Sequence, residues 1–332
     1  MRGDQLLRKI GFILLFVLFS FLLYLTFVSS EIVFRSDRQM PKFIEQEKLQ
    51  HRIVLITQDT ETPFWNKVGS GAMDQAQKEG ASLEIWGSYG NNREDFLKKL
   101  EIAIHSKVDG IIVQGLDSDD FKYLTKVKAS FYGIPVITVA NDVPVQESLR
   151  RTYVGSDQYK AGKMIAEELL KDMGSKGKVL ITYNSDKEFY QLQRLEGMKE
   201  VLESHREIQL VEAETSSSRE EVIAATQDIL NKWPDVDAII AINSDIASAL
   251  VQEISKRSQV EPYYIYSFDD GQDSISLLQE GKIDGLVEQT PEMMGRKSVQ
   301  LIKGWLTGET MPLNIDGYFT DIRIVKAMDY DD

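Results

Sequence analysis

The sequence predicts an α/β protein in which two doubly wound lobes follow one transmembrane helix. Three observations lead there. A stretch of 19 residues without a charge, 10–28, opens the chain. From His51 onward, short β-branched runs alternate with amphipathic stretches of helix length, the mark of parallel sheets covered by helices on both faces. Nine or ten such runs in about 275 residues exceed what one nucleotide-binding-type domain holds, and 332 residues fit two domains of about 150 each.

The first element is the apolar stretch IGFILLFVLFSFLLYLTFV. As a helix rising 1.5 Å per residue it spans about 29 Å, against roughly 30 Å of bilayer hydrocarbon. Arg2, Arg8 and Lys9 against Asp4 give the tip before it a positive excess, which keeps that tip cytoplasmic and sends the rest outward. Two readings compete. A cleavable signal peptide needs an apolar stretch of about 7–15 residues and a small-residue site, which Val28-Ser29-Ser30 could supply; the longer stretch here favours an uncleaved signal anchor. A buried soluble helix is the bland alternative, but Phe and Leu on every face fit lipid better. The expected layout is a cytoplasmic tip over 1–9, a membrane span over 10–28 and a juxtamembrane stalk over 29–50, the last with Pro41 and the charged run 45–48. The remainder lies outside the cell membrane. Without residues 1–30 the chain carries 35 bases and 51 acids, so a net charge of −14 becomes −16 on the outward part.

Strands are predicted next at 53–57, 82–86, 110–114, 135–139, 178–183, 209–213, 238–242, 263–268 and 285–288. Most are continuous apolar runs rather than alternations, as parallel strands buried on both faces require. Between them, 66–79, 161–173 and 275–280 read as helices closed by Gly80, Gly174 and Gly281. The segment 94–105 carries Phe96, Leu97, Leu100, Ala103 and Ile104 on one helical stripe. TYVGSD, 152–157, falls midway and is expected to cross between the lobes. The predicted partition is 51–154 with 290–318 as lobe 1 and 155–289 with 319–328 as lobe 2, joined by about three crossings.

Composition removes many chemistries. The absence of cysteine excludes disulfides, Cys-based zinc sites, a Cys nucleophile and a lipidated cysteine. His51, His105 and His205 show no ligand spacing, so no metal or cofactor is expected. The acidic balance disfavours nucleic acid. Gly69-Ser70-Gly71 lies inside a predicted helix and lacks the Gly-Lys-Ser/Thr of a phosphate loop, so close packing of helix on sheet is the better reading. Asp117, Asp119 and Asp120 read as an acidic N-capping turn, with a cation site as the alternative. Asp269-Asp270 likewise follows a strand and precedes a helix. Neither a Gly-x-Ser-x-Gly elbow nor a His-Glu-x-x-His helix occurs, and nothing supports turnover.

What remains is a series of polar and aromatic residues at the carboxyl ends of strands, where α/β folds bind ligands. Gln58 to Trp65 follow the first strand, Gln114 the third, Asn141 and Asp142 the fourth, then Asn243, Asp269 and Gln289. Amides and carboxylates bond vicinal hydroxyls, and aromatic faces cover the C–H faces of a sugar ring. Singly, each has a dull explanation as core, turn or cap; their recurrence at successive strand ends is what points to a site.

At these residues the sequence resembles the type I periplasmic binding proteins of the ribose/galactose/xylose group, which share their fold with the sensor domains of lactose-repressor-like regulators. The resemblance runs from Arg52 to Val325 through IVLITQDTETPFW, DGIIVQGLDSDD, GIPVITVANDVP, TYVGSDQYKAGKMIAEEL, RLEGM, PDVDAIIAINSDIASAL, YSFDDG and GLVEQTPEMMG. It implies two Rossmann-like lobes closing on a monosaccharide. By this likeness Phe64 and Trp65 match the aromatic pair that sandwiches a sugar ring, and Asn243, Asp269 and Gln289 match polar contacts near the hinge. Gln58, Thr62 and Gln114 take first-lobe contact positions. Asn141 and Asp142 stand where many relatives place an Asp-Arg or Ser-Asp pair; here the arginine is missing. Arg194 fits an arginine that is more often structural, and Phe189, Tyr190 and Gln191 occupy the neighbourhood of a ligand-facing arginine; Phe189 and Gln191 join the expected ligand set. The resemblance implies a binding protein and not an enzyme. With an anchor and no cysteine to lipidate, it is similar to extracytoplasmic sugar sensors that dock on a membrane histidine kinase, the alternative being the receptor of a sugar ABC importer working with a permease.

Overall fold

The computed structural model describes residues 2–34, 51–89, 92–185, 188–215, 219–256, 263–269 and 271–330; the stalk run 45–48 and Asp270 lie outside the described residues. The chain divides into two compact units, Met1–Leu49 and Gln50–Asp332.

The first unit contains one helix, α1 (Arg2–Phe34), which takes in the whole apolar stretch. Its side chains are described over 14–30, and from Leu14 to Phe27 the large apolar ones are 46–71% exposed. Within that stretch the Thr26 hydroxyl donates to the Leu22 carbonyl at 2.8 Å and so needs no outside partner. Among the described residues no helix is long and apolar enough to cross a membrane; the 10–28 stretch begins four residues before the described side chains of α1.

The second unit is built on two six-stranded sheets among the described residues. β1 (Arg52–Thr57), β2 (Ser82–Gly87), β3 (Gly110–Gln114), β4 (Val136–Val139) and β5 (Thr152–Gly155) pair in parallel with the late strand β11 (Tyr318–Phe319), in the order β11-β5-β4-β3-β1-β2. β6 (Lys176–Asn184), β7 (Glu207–Thr215), β8 (Ala238–Ala241), β9 (Tyr264–Phe268) and β10 (Gly285–Glu288) repeat the pattern, and β12 (Arg323–Val325) closes that sheet antiparallel to β10. Helices α2 (Pro63–Glu79), α3 (Arg93–His105), α4 (Asp119–Tyr123) and α5 (Val145–Ser148) belong to the first sheet, together with α11 (Pro291–Thr307). Helices α6 (Gln158–Met173), α7 (Phe189–Glu203), α8 (Arg219–Lys232), α9 (Ser244–Lys256) and α10 (Gln272–Gln279) belong to the second.

Strand periodicity divides the core. In β1, Ile53 and Leu55 join Val68, Ile112 and Ile302 on one face of the sheet, while Val54 and Ile56 join Phe96, Leu100 and Phe121 on the other. Both faces are therefore apolar, which is why the strands read as unbroken hydrophobic runs. Local chemistry sets the helix ends. Thr62, Asn92 and Asp157 accept from the backbone N–H groups of Trp65, Asp95 and Lys160, and Pro63 occupies the first turn of α2. Gly80 and Gly281 take left-handed conformations at φ 61° and 65°, where a side chain is strained; Gly174 ends α6 at φ 84° and ψ −175°, outside the left-handed helical basin.

Three expectations change. The acidic turn before α4 is capped by Ser118, which accepts from Phe121 N, while Asp119 and Asp120 sit in the first helical turn and Asp117 pairs with Lys122. Gly69-Ser70-Gly71 does pack closely, but chiefly against a helix: a Cβ on Gly71 would fall 2.0 Å from the Glu292 carbonyl of α11. TYVGSD is mostly strand, since Thr152 to Gly155 form β5, and the chain leaves the first lobe only at Ser156 and Asp157. It re-enters after Gln289 and leaves again beyond Phe319, so Gly155 and Phe319 both pair within the first sheet.

Candidate functional site

The strands of both sheets end at one cavity of about 470 Å³, within the usual range for small-molecule sites. The first lobe supplies Gln58 from the end of β1, Thr62, Phe64 and Trp65 from the start of α2, Gln114 from β3 and Asn141 from beyond β4. The second supplies Tyr190 and Arg194 from α7, Asn243 from the β8–α9 turn and Asp269 from β9; Gln158 and Gln289 reach in from the crossings. Nine of the residues singled out from the sequence thus meet on one wall or the other.

Each is held by the strand-end geometry behind it. The Gln58 backbone N–H donates to Gln114 Oε1 at 2.9 Å, which ties β1 to β3 at the cavity floor. Trp65 is buried in the first-lobe core and Phe64 is half-buried beside it, their rings 5.4 Å apart and nearly perpendicular at 85°. An edge-to-face pair offers one aromatic face rather than two parallel plates. Asn243 is fully engaged: its Oδ1 accepts from Ile246 N at 3.1 Å as a helix cap, and its Nδ2 donates to Asn184 Oδ1 at 2.8 Å. It is at once the cap of the dull reading and part of the wall.

A chain of polar side chains runs along the crossings. Ser156 Oγ donates to Gln289 Oε1 at 2.6 Å, Gln289 Nε2 donates to Asp269 Oδ1 at 2.6 Å, and Arg194 Nη2 reaches the same oxygen at 3.3 Å. Arg194 Nε donates to Gln158 Oε1 at 2.8 Å and its Nη1 to the Ile242 carbonyl at 2.7 Å. The guanidinium lies 4.1 Å from the Phe268 ring centre and 5.0 Å from that of Tyr190. Its charge is spent on the protein, so it orients Asp269 rather than offering a free fork to a ligand. Asp269 itself sits at φ +73°, a left-handed conformation that costs a non-glycine residue free energy. Two buried polar atoms of wall residues, Gln58 Nε2 and Ser274 Oγ, have no hydrogen-bond partner among the described residues.

Three residues of the expected set do not line the cavity. Asp142 accepts from Arg150 Nε and Nη2 at 2.6 and 2.7 Å and from Thr138 Oγ1 at 2.6 Å. Burial pushes its carboxyl up while the Arg150 fork pulls it down. An arginine eight residues on, not a ligand, takes this aspartate. Phe189 and Gln191 flank Tyr190 on α7 and point about 100° to either side of it; Gln191 Oε1 accepts from Asn184 N at 3.1 Å instead. Tyr190 is four residues before Arg194 and so shares its face. That spacing was readable in the sequence and identifies the member of the Phe-Tyr-Gln triplet that faces the cavity. Gln158 and Ser274 carried no such signal, because both depend on how the lobes meet.

Comparison with known proteins now bears on this geometry. The model of the periplasmic binding protein domain matches residues 53–310. The ribose import binding protein of Escherichia coli is 23% identical over 274 residues, covering 82% of this chain and 90% of that protein. Among solved structures, GanP, a glucose-galactose binding protein from Geobacillus stearothermophilus, is 28% identical with a TM-score of 0.79 over 86% of this chain and 100% of its own. XylFII in its complex with LytSN is 26% identical with a TM-score of 0.74, over 85% and 99%.

Proposed function

The chain belongs to the periplasmic binding protein family, a family whose members similar to it bind sugars, and we propose that this member is a membrane-anchored, extracytoplasmic monosaccharide receptor that reports closure to a partner in the membrane. The observation that carries the reading is the cavity between two lobes whose walls connect through Ser156, Gln289 and Asp269 to the crossings. A ligand that bonds both walls has more contacts in the closed state than in the open one, and that difference shifts the population toward closure. Sugar hydroxyls suit the wall: they accept from Gln58 Nε2, donate to Asp269 and exchange bonds with Ser274 and Asn141, while the ring stacks on an aromatic face. In this reading binding is the whole reaction, and the sugar leaves as it entered.

The α1 helix is the anchor, with the tip inside and Gln50–Asp332 outside. The apolar side chains exposed from Leu14 to Phe27 support this. A membrane sensor of the histidine-kinase type is the partner, a reading supported by the likeness to XylFII, which is found in complex with LytSN. The likeness to import binding proteins favours a second reading, in which an ABC permease takes the ligand.

GanP and XylFII consist almost entirely of the matched region, so residues 50–332 are the unit to test in solution. A thermal-shift panel of pentoses, hexoses and polyols is expected to give at least one stabilising ligand, confirmed by calorimetry with the sugar recovered unchanged. Silence across the panel overturns the sugar reading. Crosslinking the full chain in its native membrane, with and without that sugar, separates a kinase from a permease.

A further inference from the structure

The amino ends of the first-lobe strands form a pole opposite the cavity. Ser82 N donates to the His51 carbonyl, Asp109 N to the Arg52 carbonyl and Ile111 N to the Pro135 carbonyl, which fixes 51–52, 81–82, 109–110 and 134–135 at that end. Two turns project from it. One follows α3 and ends in Lys107, at φ +50°; the other follows the π-type stretch Leu124–Ala129 and turns back through Gly133, at φ +70°. On their tips Phe131 is 81% exposed, the most exposed large apolar side chain described. Its ring lies 5.2 Å from that of Tyr132, which His105 meets at 6.0 Å and over which Lys107 Nζ stands at 5.7 Å. Val127 and Ile102 extend the apolar surface, each nearly half exposed; on the same stretch Lys126 Nζ donates to the Gln146 carbonyl at 2.8 Å and Lys128 Nζ stands over the Tyr123 ring at 5.8 Å. Two acids stand at the same pole: Glu101 faces His105 at 3.6 Å, and Asp109 accepts from Arg52 N at 2.7 Å.

We propose that this pole, with Phe131 and Tyr132 at its tip and Lys107, Lys126 and Lys128 around it, is a docking surface for an anionic lipid headgroup layer. Two arguments select that occupant. The first is charge: Lys107, Lys126 and Lys128 outnumber Glu101 and Asp109 at this pole, so on a chain of net charge −14 the tip is a local inversion that matches an anionic bilayer and opposes the same face of a second copy. Aromatic rings flanked by lysines are also the side chains that settle at the headgroup level. The second is reach. β1 begins at this pole, and only residues 35–50 connect it to α1, at most about 55 Å fully extended. The inference rests on the anchor of the proposed function. Docked this way, the first lobe is held at the bilayer while the cavity and the second lobe stay clear to close.

The test uses residues 50–332, which lack the anchor, in flotation with vesicles of pure phosphatidylcholine and of phosphatidylcholine with about 30% phosphatidylglycerol. The fragment is expected to float with the anionic vesicles only and to be released by high salt. F131S/Y132S is expected to abolish flotation, and K107E/K128E to reduce it on the order of tenfold. Both variants should keep the thermal response to sugar, which shows that they are folded. A wild-type fragment that stays at the bottom with both vesicles overturns the proposal, as does flotation that the variants leave unchanged. Failure to float combined with dimerisation that F131S/Y132S abolishes gives the surface to a second copy instead and also overturns it. The anchor is read separately: full chain extracted by alkaline carbonate would remove the anchor whatever the fragment does.

Discussion

Asp269 works from a backbone conformation that aspartate seldom adopts, and the neighbours that hold it there are also those that aim its carboxylate. Gln289 Nε2 and Arg194 Nη2 both bond Oδ1, leaving Oδ2 without a described partner. The two roles separate by substitution. D269A removes the acceptor and keeps the strain, whereas D269G removes both. Both variants should lose sugar binding, by about 1–3 kcal/mol or more in calorimetry. D269G should nonetheless unfold later than D269A in denaturant, by about 1 kcal/mol, because glycine accepts φ +73° freely. A D269A variant that binds normally removes this carboxylate from the site. At this scale the sequence carries the strand-end residues well, since position at a carboxyl end is a property of the pattern. It carries the competition for their side chains poorly. Asp142 looks as good a ligand as Asn141 until Arg150 folds back across the loop, and no periodicity announces that pair.

Elements meet in the same way in both lobes, through glycines set opposite each other on crossing helices. In the first, a Cβ on Gly71 would lie 2.0 Å from the Glu292 carbonyl and one on Gly295 1.9 Å from that of Val68. In the second, Gly162 and Gly197 stand in the same relation to Arg194 O and Tyr159 O, each at 2.1 Å. The obstacle is backbone, so an added methyl must part the helices. G295A and G197A are each expected to lower stability by about 1–3 kcal/mol or more in urea unfolding. G197A should also weaken sugar binding, because α7 carries Tyr190 and Arg194. A second element-scale contact ties the C-terminal strand to α6: Lys326 Nζ bonds Asp172 at 2.8 Å and Glu168 at 2.7 Å. Lys171 and then Lys326 hold the Glu168 carboxyl below its ordinary value. Burial pushes Asp172 up, but Lys326 and Tyr266 outweigh it and hold it down as well. Groups with depressed carboxyl values stabilise the fold above their unfolded values, near pH 4, and that contribution disappears as pH falls through the folded ones. Thermal melts of wild type and K326M should therefore differ at pH 7 and converge toward pH 2; a constant gap would assign the difference to packing. The sequence shows α6 and its glycine plainly. It hides β11 and β12, because strands of two or three residues are made by their partners and have no pattern of their own.

Across the whole molecule, among the described residues, the Glu188 carboxylate spans the lobes at the edge of the cavity. Glu188, at the start of α7, lies 3.6 Å from Arg93 Nη2 and 3.3 Å from Asn141 Nδ2, both in the first lobe. These contacts exist only when the lobes are near each other, so they add to the stability of the closed state without requiring a ligand. Their strength is limited. The Arg93 side chain is 47% exposed, and a solvated pair of this kind contributes about 0–1 kcal/mol. That range is still enough to matter for a receptor, because apparent affinity scales with the fraction already closed. R93A is expected to weaken sugar binding up to about fivefold with no change in the ranking of sugars, whereas E188A also releases Asn141 on the wall. Small-angle scattering should show unliganded R93A more extended than the wild type, and the sugar-saturated forms alike. Raising salt should move wild type toward R93A and leave R93A nearly unmoved. If R93A and E188A act additively in a double-mutant cycle, the ion pair does not couple and adds nothing to closure. If they couple, the resting position of the lobes is set in part by Arg93, which does not line the cavity, and the threshold at which the partner is informed can change without altering the site that selects the sugar.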